Sequence, residues 1–179
     1  MRFSSILVLA SLVASSFATA ASDILADVAT INTQLNNLNN AIAAFTIPGG
    51  TLGTALAIHT NAVTLGTSLN KATTDTLAVS PNPLADADGR SILTAVEALE
   101  NTIYSCLNGI VARKAAFTAL PIGGIVTLVK QDLSNLNNST ASLEVALIGT
   151  APASLVAEAT ALQSRINAAF AVAIQAYAS

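Results

Sequence analysis

Five times along this chain, apolar residues recur in steps of three and four, the spacing that gathers side chains onto one face of an α-helix. The first run is Ile24, Val28, Ile31, Leu35, Leu38, Ile42 and Phe45, and the second is Ala55, Ile58, Ala62, Leu65, Leu69 and Ala72. The third reads Ile92, Val96, Leu99, Ile103, Leu107, Ile110, Lys114 and Phe117, the fourth Ile122, Val126, Val129, Leu133, Leu136, Thr140, Leu143 and Leu147. The last is Leu155, Ala159, Leu162, Ile166, Ala169, Ala173 and Tyr177. No useful stretch alternates with the two-residue period of a strand, so the expected fold is all-α.

Breaks between the runs carry helix-stopping residues: Pro48-Gly49-Gly50, Ser80-Pro81-Asn82-Pro83, Pro121 with Gly123-Gly124, and Gly149 with Pro152. Ser22 is the expected N-cap of the first helix, and Asp86 or Asp88 that of the third. Pro152 suits the first turn of the fifth helix. A bend or fray is expected in the fourth around Asn137-Asn138-Ser139. Long stripes joined by short links predict an up-and-down antiparallel bundle of about five helices in a single domain spanning residues 21–179.

Residues 1–20 stand apart from that bundle. Arg2 followed by the apolar run from Ile6 to Val13 and by Ala18-Thr19-Ala20 reads as a secretory signal peptide cleaved after Ala20. No later window is apolar enough for a transmembrane anchor, and no lipid-anchor signal closes the chain. The expected product is secreted and extracellular.

Charged residues make up only 9% of the chain, against roughly 25% in an ordinary soluble domain. The outer faces must therefore be covered by Ala, Thr, Ser and Asn, which hold water weakly. The net charge is −3 and no basic cluster exceeds Arg113-Lys114, so nucleic acid is not an expected partner. A lone Cys106 leaves no disulfide framework within one chain, and beside Leu107 it reads as a buried, inert thiol.

Residues that could carry chemistry do not assemble into a team. His59 is the single histidine and lacks the companions of a zinc site. Asp86-Ala87-Asp88-Gly89 has a faint look of a calcium loop, but Leu84 and Ala95 stand where that loop needs acids. Glu97 and Glu100, three apart, read as a solvated helix face, and no Gly-x-Ser-x-Gly turn or phosphate-cradling glycine pattern occurs. No catalytic residue, metal or cofactor is expected, and hence no enzyme. Asn137 and Asn138 head two overlapping glycosylation acceptors.

What remains is the set of apolar faces. A Leu or Ile gains roughly 1.5–3 kcal/mol on leaving water, and an oily surface provides much of that gain as well as a neighbouring helix does. Faces of Thr, Asn and Ala carry a small desolvation penalty when laid on such a surface. The chain reads as an amphiphilic binder of hydrophobic surfaces or of lipid such as fatty acids, by exposed helix faces or an internal cavity. Positions midway along the stripes would line such a cavity: Leu35, Leu38, Leu99, Ile103, Leu136, Leu162 and Ile166.

The segment Ile31-Asn32-Thr33-Gln34-Leu35-Asn36-Asn37-Leu38-Asn39-Asn40-Ala41-Ile42, with Leu143 to Ile148 and Phe170 to Tyr177, resembles the hydrophobic surface-binding protein A family of fungi. That family includes the cell-wall galactomannoprotein antigens. The resemblance covers essentially all of the chain after residue 20. It implies secreted helical proteins that adsorb to hydrophobic surfaces, in some cases recruiting polyester-degrading enzymes, or bind fatty acids in a cavity. An extracellular hydrolase is thus an implied second partner. This chain lacks the Ser/Thr-rich tail and anchor signal of wall-attached members, which argues against covalent attachment to the wall. Two alternatives stay open: a helical inhibitor or docking protein for an extracellular enzyme, and a structural or antigenic wall protein.

Overall fold

Each stripe becomes a helical rod with its apolar side turned inward. The computed structural model describes residues 19–46 and 48–178, so the proposed signal peptide lies, but for its last two residues, outside the described part. α1 (Ala21–Ala44) buries all the stripe residues from Ile24 to Ile42, and α2 (Leu52–Leu77) buries the six from Ala55 to Ala72. The third stripe is divided among α3 (Asp86–Glu97), α4 (Glu100–Ala112) and α5 (Lys114–Thr118). α6 (Ile125–Thr150) and α7 (Val156–Ala176) complete the set.

Local bonding moves several helix ends from where the sequence suggests. The carboxylate of Asp23 receives the Ala20 N–H at 3.0 Å, so α1 starts before Ser22, which therefore does not cap it. Asp86 and Asp88 sit inside the first turn of α3, where their charge favours the positive helix end, while Ala85 occupies the cap without a side-chain bond. The third rod tightens at Leu99, whose N–H bonds to the Val96 carbonyl three residues back. α6 runs unbroken through Asn137–Ser139 and through Gly149. It begins only after Gly124, whose φ of +93° suits a residue without Cβ, so Ile122 falls in the preceding turn and is exposed. Pro152 stands in the link before α7, not in its first turn.

Rod directions follow from the contacts between them. Lys71, late in α2, reaches Asp27, early in α1, at 2.7 Å, so these two run antiparallel. His59 and Asp132, both early in their helices, meet at 3.0 Å, so α2 and α6 run parallel. Arg113 at the end of α4 bonds the Phe45 carbonyl at the end of α1, and Cys106 faces Leu35, which makes that pair parallel too. Arg90 with Glu158, Glu100 with Arg165, and Lys114 with the Ala176 carbonyl align the third rod with α7. Direction alternates along the chain, as the short links require.

Side by side, however, the order is α1, α2, α6, α7, third rod and back to α1. The five rods close into a ring, in which three of the five lateral neighbours are parallel.

Both ends of the ring are sealed. At one, Phe45 and Phe117 stack with centroids 4.3 Å apart, and the Tyr177 hydroxyl donates to the Ile110 carbonyl at 2.8 Å. Gly50 closes over Phe45 so tightly that a Cβ there would collide with the ring. At the other, the Leu84 N–H donates to the Thr150 carbonyl at 2.9 Å, and Gly89 packs on Pro152. No described helix is long and apolar enough to cross a membrane.

Candidate functional site

Between the sealed ends the stripes of all five rods face one another without filling the space. A cavity of about 100 Å³ remains on the axis. Leu35 and Leu38 border it from α1, Ile58 and Leu65 from α2, and Ile103 and Leu107 from α4. Leu136 and Leu143 close it from α6, with Ile166 and Phe170 from α7. A second void of about 50 Å³ adjoins it between α3, α6 and α7 and shares Val96, Glu144, Leu147 and Ile166 with the first. The reason is local: aliphatic chains and Ala62 project to the axis, and among the described residues no aromatic ring but Phe170 reaches the waist to fill it.

Six of the seven positions read from the stripes, Leu35, Leu38, Leu99, Ile103, Leu136 and Ile166, lie on the wall of the central cavity. Leu162 lies on the wall of the smaller one. The structure therefore brings all seven to two adjoining voids. Asn137 is half-buried and Asn138 exposed on α6, so only the second acceptor presents its side chain freely to solvent.

Two acidic residues at the waist are not singled out by the apolar spacing of the stripes. Asp132 borders the cavity and accepts from His59 Nδ1 at 3.0 Å. Burial pushes its carboxyl above the usual range, and the His59 contact opposes that shift. Glu144 borders both voids, is 8% exposed, and has neither carboxyl oxygen in a hydrogen bond of good geometry. Burial raises its pKa to about 7, with the amides of Gln163 and Asn167 on α7 pulling the other way. The available signal was spacing: Asp132 stands three after Val129 and four before Leu136, while Glu144 stands four after Thr140 and three before Leu147.

Among the described residues no lysine, arginine or histidine borders either void. Cys106 does border the first, but its thiol faces the Leu35 carbonyl at 3.7 Å and burial pushes its pKa up to about 12. It is held as an unreactive SH group. Glu100, by contrast, is committed to Arg165 at 2.6 Å and held down at about 2, so it forms no acid/base pair with Glu97. Among the described residues no group of His, Cys, Asp and Glu could hold a metal ion. The site can desolvate a flexible apolar chain and offer a single unpartnered carboxyl at its floor.

The family profile described as hydrophobic surface binding protein A matches residues 21–149. A solved structure of AFMP4P in complex with palmitic acid superposes with a TM-score of 0.81 at 32% identity, covering 88% of this chain and 99% of that one. Ligand binding domain 1 of the Penicillium marneffei MP1 protein, complexed with arachidonic acids, gives a TM-score of 0.75 at 16% identity over 88% of this chain and 96% of that one. Ligand binding domain 2 of the same protein, with multiple arachidonic acids, gives 0.74 at 16% identity over 88% and 94%. Among curated protein sequences none matches this chain.

Proposed function

Since the chain belongs to the hydrophobic surface binding protein A family, we propose that it is a secreted, noncatalytic lipid binder that takes an acyl chain into the space enclosed by its five rods. The observation that carries this reading is the waist itself: a ring of helices sealed at both ends around an axis walled almost wholly by aliphatic side chains. AFMP4P, similar over nearly its whole length, was solved with palmitic acid. The lipid partner and the absence of a catalytic role are both carried over on that basis, and export on the character of residues 1–20.

Volume sets a condition on the mechanism. An apolar cavity of roughly 150 Å³ takes a molecule the size of benzene, so about 100 Å³ is too little for a long acyl chain. The rods must part as the chain enters. Among the described residues no disulfide crosses the seams and four ion pairs do, so the movement is opposed chiefly by apolar contacts that an acyl chain can replace. Each methylene that passes from water into the waist gains roughly 0.8 kcal/mol, which offsets the loss of rod-to-rod contact.

Mass spectrometry of protein released gently from the secreted state should show a co-purified fatty acid. Filling the waist with Ile103→Phe should reduce uptake of a fluorescent fatty acid while the far-ultraviolet helical spectrum is unchanged. Undiminished uptake would overturn the internal site. A second reading, adsorption to hydrophobic solids, is favoured by Leu56 and Val63, which are 42% and 53% exposed two turns apart on α2. Loss of adsorption to wax beads in Leu56→Asn/Val63→Asn, with acyl uptake intact, would support that outer face.

A further inference from the structure

Among the described residues, Glu144 is the one acid at the waist without a hydrogen bond of good geometry, its polar neighbours being the amides of Gln163 and Asn167. It stands where the two voids meet, nine-tenths buried, with neither carboxyl oxygen in a hydrogen bond of good geometry. Buried polar atoms are almost always hydrogen-bonded, so a carboxyl that faces two voids and is only weakly served by neighbouring amides is open to a donor brought in by a guest.

The surroundings limit what that partner can be. From α7 the groups facing Glu144 are the neutral amides of Gln163 and Asn167, and no charged side chain contributes to its titration. From α3 the wall is Leu93 and Val96, and from α4 it is Ile103. On α6 itself Thr140 is neutral, and Asp132, twelve residues and about 18 Å along the axis, is already engaged by His59. Among the described residues no cation borders either void to neutralise an anionic head. Two carboxylates side by side in so apolar a place would repel, whereas a head that brings its own proton would satisfy the orphan oxygens.

We propose that Glu144 is the receptor for the lipid's polar head, and that the chamber takes single-chain lipids whose head carries a donatable proton, a hydroxyl or an un-ionised carboxyl. This rests on the lipid-chamber reading above. A fatty alcohol or monoacylglycerol donates its O–H to Glu144. A fatty acid shares one proton with it, an acid–carboxylate pair that exists only while one of the two partners stays protonated. Because Glu144 loses its own proton at about pH 7, fatty-acid binding should weaken above neutrality and alcohol binding should not.

The test uses dodecanol and lauric acid as probes, with the full chain after residue 20 as wild type, Glu144→Gln and Glu144→Leu, at pH 5.5 and 8.5. Thermal melts confirm that each variant is folded. In the wild type, lauric acid should lose about tenfold or more in affinity at the higher pH, and dodecanol less than about threefold. The glutamine variant, whose amide donates to a carboxylate, should hold lauric acid equally at both pH values. The leucine variant should lose about tenfold for dodecanol, one hydrogen bond's worth. Lauric acid bound equally at both pH values by the wild type, or dodecanol unaffected by leucine, would overturn the role of Glu144 and leave the chamber standing. Binding of neither probe by any of the three proteins would overturn both.

Discussion

The aromatic end of the ring and its waist are made by the same five rods, yet they solve opposite problems. At the end, Phe45 and Phe117 are stacked and almost fully buried, Arg113 donates to the Phe45 carbonyl at 2.9 Å, and Tyr177 donates to Ile110. At the waist, aliphatic chains surround a void and the Glu144 carboxyl has no hydrogen bond of good geometry. Stiff ends hold the order of the rods so that the middle can be left unfilled. Dense packing specifies a fold; here its local absence leaves room for a guest.

The sharpest way to break that comparison is truncation at each place. Phe117→Ala removes a filled, stacked ring and should cost about 3–5 kcal/mol, while Leu136→Ala, beside an existing void, should fall near the lower limit of about 2 kcal/mol. Urea denaturation of the two variants measures the gap, and equal losses would mean the waist is packed as tightly as the end.

Glu144 gives the next largest effect, through pH. Its folded pKa of about 7 lies above the usual 4.5, so the folded state holds a proton that the unfolded chain releases. The contribution is present in full below about pH 4.5 and is lost as pH rises towards 7, by on the order of 3 kcal/mol. In Glu144→Gln that decline between pH 4.5 and 7 should vanish, as denaturation across the range would show.

Ile103→Phe sharpens the contrast further, because filling a void tests room and not packing. Acyl affinity should drop about tenfold, equivalent to about 1.4 kcal/mol, with little change in the melting temperature. The smallest effect is expected at the rim, where Arg90 and Glu158 pair at 2.6 Å with both side chains nearly half exposed. Arg90→Ala should cost under about 1 kcal/mol and less still in high salt.

Periodicity made the rods and their inward residues legible, since burial of a stripe is a property of one helix. Every stripe position from Ile24 to Phe45 is buried, and the mid-stripe choices Leu35, Leu99 and Leu136 reach the axis because the middle of each rod must pass the middle of the ring. Which rod lies beside which was not legible. The parallel contact of α2 with α6 joins residues 73 apart, His59 and Asp132, and no local spacing encodes it. Glu144 and Asp132 are hard to see in the sequence because a charge at a stripe position reads as an interruption of the pattern, when it marks the part of the wall that is polar. The tight turn at Leu99 has neither proline nor glycine to announce it.

An odd number of rods also has an electrical consequence. α1, the third rod and α7 are adjacent and parallel, so three negative helix termini gather at the aromatic end with no antiparallel neighbour between them to cancel the field. The chain answers with its only adjacent pair of cations: Arg113 donates to the carbonyls of Ala43 and Phe45, and Lys114 to that of Ala176 at 2.8 Å. Those two side chains act as counter-ions to the gathered carbonyl termini, so that the bundle carries its own charge balance at the aromatic end.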